Sequence, residues 1–350
     1  MSSDFFMRRK IAFVFFIVLI SITAAFAQGG RWNVVQKNAP GDLVTVFFTS
    51  SSDGWIGGDD GYLAFTKDGG VTWQRHPLKI SENINEIYFR GDDNGYILAG
   101  QKIYITRDKG VTWRDAKVID LNELKGLVPE FLSIRFVNKR RGYIVGSVSN
   151  REDVVVDSLV LQTTDGGETW QRIKVPTKNE LFHLDFVGEK RGWIVGDKGV
   201  IIATRDGGVT CFQNQTSRGF KVSIATRDGG VTWQMQFSGT DRALRSVDFR
   251  DEDEGYIVGN RGTILRTQNG GGRWEIVKTP YTDTFYRVVF PDDKNGYIVG
   301  RSGLILRTEN KGSTWLQQES GTEEPLYGLY MERRFGWSVG GGGVVLRYQR

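Results

Sequence analysis

The chain has 350 residues, among them 45 Gly, 7 Pro, 21 Phe, 12 Tyr and 10 Trp, with one Cys and two His. A 39% hydrophobic content beside 25% charged residues supplies a core and excludes global disorder. One Cys and two His exclude an internal disulfide and leave little for a metal cage, so no metal and no cofactor are expected, and a formal net charge of +5 is no nucleic-acid footprint.

Residues 1–27 read as an export leader. Arg8, Arg9 and Lys10 precede an apolar run from Ile11 to Ile20, and Ala25-Phe26-Ala27 is a small-x-small cleavage signal that places the mature start at Gln28. The run is short for a membrane span, and no Cys follows it to carry a lipid anchor; an uncleaved anchor is the alternative. Loss of three basic residues and Asp4 leaves a net charge of +3. The mature chain, residues 28–350, is expected to be an exported, soluble monomer.

Seven copies of one unit follow. A Gly-aromatic pair leading a short apolar run recurs at Gly54-Trp55, Gly95-Tyr96, Gly142-Tyr143, Gly192-Trp193, Gly255-Tyr256, Gly296-Tyr297 and Gly336-Trp337, at spacings of 41, 47, 50, 63, 41 and 40. That period suits a propeller blade or a helical repeat. Short β-rich runs such as Arg287-Val288-Val289-Phe290 and Leu304-Ile305-Leu306-Arg307, separated by Asp, Asn, Gly and Lys clusters, select the propeller. The expected fold is all-β: one seven-bladed β-propeller with four-stranded antiparallel blades.

A second signature, Thr-x-Asp/Asn-x-Gly-x-x-Trp, begins at Thr66, Thr106, Thr163, Thr226, Thr267 and Thr308. This Asp-box pattern suits a tight turn between the third and fourth strands. Its carboxylate or amide (Asp68, Asp108, Asp165, Asp228, Asn269, Asn310) accepts backbone N–H groups, and Gly takes a left-handed conformation. The Trp of each box (Trp73, Trp113, Trp170, Trp233, Trp274, Trp315) is expected to pack between blades. One acidic residue per repeat at the same turn reads as a structural device, not a row of catalytic acids.

The irregular spacings have separate causes. In blade four, Ala203-Thr204-Arg205-Asp206-Gly207-Gly208-Val209-Thr210 reappears at Ala225 to Thr232, so residues 203–224 read as a local tandem duplication. Its first copy has Cys211 at the Trp position, which makes the cysteine incidental. Blade three carries its excess in a loop beginning Ser147-Val148-Ser149-Asn150-Arg151-Glu152-Asp153, and blade two between Trp113 and Phe131. The chain ends on Val344-Val345-Leu346-Arg347 without a Trp-led strand for the seventh blade, and Arg31-Trp32-Asn33-Val34-Val35 supplies one. The N-terminal strand is therefore expected to close the ring on the last blade.

Repeats of the form Gly-Tyr-Ile-Val-Gly-x-x-Gly-x-Ile-Leu-Arg-Thr-x-Asn-x-Gly-x-x-Trp, at 255–274 and 296–315, resemble the photosystem II stability and assembly factor family, and the resemblance runs from about Arg31 onward. It implies a seven-bladed propeller in a periplasm or thylakoid lumen, without catalytic residues, that binds the D1 reaction-centre subunit during assembly or repair. The implied client is a protein with acidic or membrane-protein lumenal segments. Two other readings stay open: a carbohydrate-active or carbohydrate-binding Asp-box propeller, and a generic envelope scaffold. Sialidases of this repeat type place their first arginine in Arg-Ile-Pro, for which Arg172-Ile173-Lys174 is the nearest approach here.

The residue before the box Thr is Arg266, Arg307 and Arg347 in blades five to seven, but Phe65, Ile105, Gln162 and Ala225 elsewhere. Equivalent positions in successive blades are neighbours around the ring, so these arginines, with Arg245 and Arg287 on inner strands, are expected to make one basic sector. Guanidinium groups there suit carboxylates, phosphates and acidic protein tails. The competing reading is that each Arg fastens blades together. A second basic feature, Lys139-Arg140-Arg141, Lys190-Arg191 and Arg333-Arg334, alternates with acidic turns on one rim.

Overall fold

The computed structural model describes residues 30–37, 39–119, 124, 126–205 and 233–349. Residues 1–27, expected to be a leader, Asp228 and nearly all of the 203–224 segment lie outside these described residues. Seven sheets succeed one another along the chain, each a meander from an inner to an outer strand. The inner strands are Leu43–Phe48, Ile84–Arg90, Val128–Phe136, Leu181–Val187, Leu244–Phe249, Phe285–Val289 and Leu326–Met331. In the seventh sheet Arg31–Gln36 pairs antiparallel with Val345–Gln349, so the N-terminal strand completes the last blade.

Blade three departs from the other six. The surplus after Trp113 includes a fifth strand, Lys117–Ile119, which pairs parallel with Thr169–Arg172 and covers an edge otherwise open to another chain. The surplus after Gly146 is mostly strand as well: Gly142–Ser149 and Val155–Thr163 form a lengthened hairpin. Its turn is held by Asn150, whose Oδ1 accepts N–H bonds from Glu152 and Val154. In blade four the third strand is Ile201–Thr204 and the outer strand Gln234–Gln236. The position matching Arg266 is thus filled by Ala203 of the first copy, a correction to the sequence assignment of Ala225.

The seams explain the Gly-aromatic and box motifs together. The aromatic of one blade stacks on the ring ending the next inner strand: Trp337 on Phe48 and Trp193 on Phe249 at 3.4 Å, Tyr96 on Phe136 and Tyr256 on Phe290 at 4.5 Å. The box Trp of that next blade meets the same ring edge-on, as Trp73 does on Phe48 and Trp170 on Phe136. An aromatic with a polar handle suits this place. Trp337 Nε1 donates to Gly69 O at 3.2 Å and Tyr96 Oη to Gly166 O at 2.8 Å, both carbonyls of the neighbouring box. Glycine is required on both sides: a Cβ on Gly54 would enter the Phe48 ring, and one on Gly110, at φ +82°, would enter Trp55. At the sixth seam Met331 replaces the Phe, and Trp32 of the closing strand meets Tyr297 edge-on.

Each box among the described residues is held by hydrogen bonds. Thr72 N–H and Oγ1–H donate to the two Asp68 oxygens at 2.9 and 2.6 Å, Thr66 Oγ1 donates to Asp68 Oδ1 at 2.7 Å, and Gly70 N–H donates to Thr66 Oγ1 at 3.0 Å. The same circuit recurs at Asp108 and Asp165, and Asn269 and Asn310 accept the corresponding backbone N–H. These donors, led by the Thr72 and Thr112 hydroxyls, hold Asp68 and Asp108 down at about 2.

Candidate functional site

Every inner strand bears a bulge one residue after its first core position, as between Leu43 and Thr45 or Phe285 and Arg287. Beyond the bulge the two-residue period sends alternate side chains to the central channel and into the blade. One ring of seven reads Thr45, Glu86, Ser133, His183, Ser246, Arg287 and Gly328, and the next Phe47, Tyr88, Arg135, Asp185, Asp248, Val289 and Tyr330. Most of these residues line one cavity of about 240 Å³.

The polar members serve the backbone first. An inner strand is the edge of its own sheet, so some of its N–H groups have no strand partner. Side chains of the preceding blade accept them: Thr45 from Ile87, Glu86 from Ile134, His183 from Val247 and Ser246 from Val288. In the second ring Asp185 accepts from Phe249 at 2.8 Å and Asp248 from Phe290 at 2.9 Å. Among the described residues, no such bond spans the seams on either side of blade seven. Arg287 has only donors and Gly328 has no side chain there.

Charge is concentrated in the same space. Arg135 donates to Glu86 at 2.7 Å and lies 3.0 Å from His183 Nε2. His183 thus faces two donors, Val247 N–H and Arg135, while a neutral imidazole accepts at one nitrogen only. Burial and the two arginines hold His183 well below its ordinary range, hence uncharged. Burial raises Asp185, with Arg135 opposing, and pushes Asp248 up to about 8, the Asp185 charge adding to the rise. Burial lowers Arg287, which makes no ion pair among the described residues.

The five arginines singled out in the sequence divide into two groups. Arg266 sits over the Tyr256 ring and pairs with Glu254 of its own blade at 3.3 Å. Arg307, only 7% exposed, sits over Tyr297 and pairs with Glu309 at 2.7 Å. Arg347 has its guanidinium close to Gly69 in the next blade. Arg287 is in the channel, and Arg245 lies on the bulge near one mouth, over the Phe182 ring at 4.3 Å with Nε donating to Asn260. Tyr286 and Tyr327 meet edge-on at the equivalent bulges of blades six and seven. On the opposite rim, Arg141 pairs with Glu189 and Arg191 with Glu252, so the alternating turns bridge blades three to five.

Sequence reasoning missed Glu86, Arg135, Asp185 and Asp248 as one group. The signal was present in the register: aligned on the bulge, the inner strands differ most in two columns that in most cores would be apolar.

A family model described as "Photosynthesis system II assembly factor YCF48" matches residues 24–124, 77–178, 162–223, 225–328 and 272–349. The chain is 25% identical over 193 residues to the chloroplastic photosystem II stability/assembly factor of Oryza sativa subsp. japonica, covering 52% of this chain and 44% of that one. It is 45% identical over 42 residues to a photosystem II assembly protein of Synechococcus sp., covering 11% and 13%. The chain thus spans less than half the length of the curated relatives it matches first. A solved structure described as YCF48 bound to D1 peptide superposes with a TM-score of 0.69 at 18% identity, over 93% of this chain and 96% of that one. A virginiamycin B lyase from Staphylococcus aureus reaches 0.69 at 10% identity, over 92% and 99%. At such identities the structural likeness establishes the fold alone, whereas the family model extends over nearly the whole chain: this protein belongs to the photosystem II assembly factor family.

Proposed function

We propose that the chain is an exported, non-enzymatic scaffold that binds a protein client, namely the D1 subunit of a photosystem II reaction centre during its assembly or repair. The observation that carries this reading is the family match, which runs through all seven repeats. A relative of the same family is described as bound to a D1 peptide, and another, from Synechococcus sp., as an assembly lipoprotein, which supports placement beyond a membrane. The channel chemistry agrees with a scaffold. Its carboxylates are spent on backbone N–H groups of neighbouring blades, an arrangement suited to holding blades together. The client surface is assigned to the mouth with Arg245, Phe182, Tyr286 and Tyr327, to Arg287 behind it, and to Arg347; Arg266 and Arg307 are engaged within their own blades.

Titration of the protein without residues 1–27 against a synthetic D1 peptide, followed by anisotropy, tests the proposal. Saturable binding that weakens at least about tenfold in Arg287→Gln, roughly 1.4 kcal/mol, with unfolding unchanged, is expected. A folded protein that binds no D1 peptide, or that cleaves a glycoside, refutes it.

A further inference from the structure

Two aspartates share the channel with the other charged groups. Asp185 and Asp248 stand in the same ring on adjacent blades, and each reaches across a seam to the following blade. The groups facing them are Glu86 and Tyr88 from blade two, Arg135 from blade three, His183 from blade four, Arg250 from blade five, Arg287 from blade six and Tyr330 from blade seven. Glu86 and Arg135 form an ion pair, and His183 is neutral. With both aspartates ionised, two negative charges share the cavity with Arg287, which makes no ion pair with either among the described residues. With one of them protonated, the ionised groups lining the cavity balance.

We propose that the Asp185–Asp248 pair is a proton-controlled fastening of the seams between blades four, five and six, closed when one carboxyl is protonated and loosened when both are charged. Two like charges in a space of about 240 Å³ repel, and separation of the inner strands of blades four and five relieves that repulsion. The Phe249 and Phe290 N–H groups are the direct reporters, because they donate to these carboxylates.

The sign follows from linkage. In the closed seam burial and the Asp185 charge hold Asp248 well above its ordinary value near 4, to which it returns once exposed. Between the ordinary and the raised value opening releases a proton, so the opening equilibrium grows as pH rises, by up to about tenfold per unit, until the closed-seam carboxyl has ionised.

Hydrogen exchange of the full chain, corrected for the intrinsic pH dependence of exchange, tests the device. Protection at Phe249 and Phe290 is expected to fall at least about tenfold between pH 5 and 8, with Ile87 and Ile134 unchanged. Asp248→Asn keeps an acceptor for Phe290 N–H and cannot ionise, so its profile is expected to be flat. Asp185→Asn, which removes the repelling charge, keeps Phe290 more protected than wild type at pH 8. A wild-type profile that is flat, or a slope that persists unchanged in both variants, overturns the proposal.

Discussion

Trp32 carries the closure of the ring, and its loss should open the ring at one place. It is 6% exposed, meets Tyr348 at 5.3 Å and Tyr297 edge-on at 6.3 Å, and donates Nε1–H to Gln318 at 3.2 Å. A buried Trp→Ala change costs roughly 3–5 kcal/mol, including about 1 kcal/mol for the indole hydrogen bond. Total stability of a domain is about 5–15 kcal/mol, so Trp32→Ala should remove a large fraction of it. The location matters more than the size. Among the described residues, no channel bond spans the seams on either side of blade seven and the closing strand pairs with Val345–Gln349 alone. Trp170→Ala, at a fully buried Trp of blade three, is the control, because its strand is covered on both edges. The assay is urea unfolding with hydrogen exchange on both variants. Both should lose about 3–5 kcal/mol, but only Trp32→Ala should expose Leu326–Met331 and Val345–Gln349 before the rest. A Trp32→Ala loss below about 1 kcal/mol, well under the range for a buried Trp, or a loss of protection spread evenly over all blades, refutes closure by this strand.

Glu86→Gln leaves Arg135 without its carboxylate, so chemical denaturation should show a loss of about 3 kcal/mol, the scale of a broken buried pair. Acidification should act unequally on the boxes. Asp68 and Asp108 are held at about 2, so their contribution is complete above about pH 4, the ordinary carboxylate range, and is lost as pH falls toward 2. Asn269 and Asn310 do not titrate there, so hydrogen exchange at pH 2–3 should open the turns of blades one and two before those of blades five and six. Arg307→Gln should lower stability by about 1–2 kcal/mol through lost packing on Tyr297 and the lost Glu309 partner, measured by thermal unfolding, and leave D1-peptide affinity within twofold. Arg287→Gln should leave unfolding unchanged and weaken D1-peptide binding at least about tenfold, because it removes a cation that has no ionic partner among the described residues.

The fold was legible because its determinants are local and repeated. Gly54 and Gly110 announce ring contacts that leave no room for a Cβ, and Trp32 announces the missing outer strand. The fifth strand of blade three was not legible, because Lys117–Ile119 pairs with a strand some fifty residues later in parallel register, and parallel pairing leaves no turn signature. Nor was the lengthened hairpin, whose Ser and Asn residues read as a loop while Val148, Ser158 and Val160 are buried strand positions.

The site was only half legible, for a reason that lies in how a propeller uses its inner strands. Position before the box Thr brings Arg266 and Arg307 to equivalent places, and each finds its carboxylate within its own blade. The inner-strand columns behave in the reverse way. Thr45, Glu86, His183 and Ser246 are chemically unlike, and they perform one task, accepting an N–H from the next blade. That task constrains an acceptor atom and not a residue type, so the column drifts freely and looks unpatterned in sequence. Arg287 and Ser133 are exceptions that such freedom permits: the buried Ser133 Oγ has no hydrogen-bond partner among the described residues, and Arg287 is a donor where an acceptor is wanted, next to blade seven, whose Gly328 also gives no side chain to the ring. The two termini pair within that same blade, so the part of the ring with fewest channel bonds is the part that relies on Trp32.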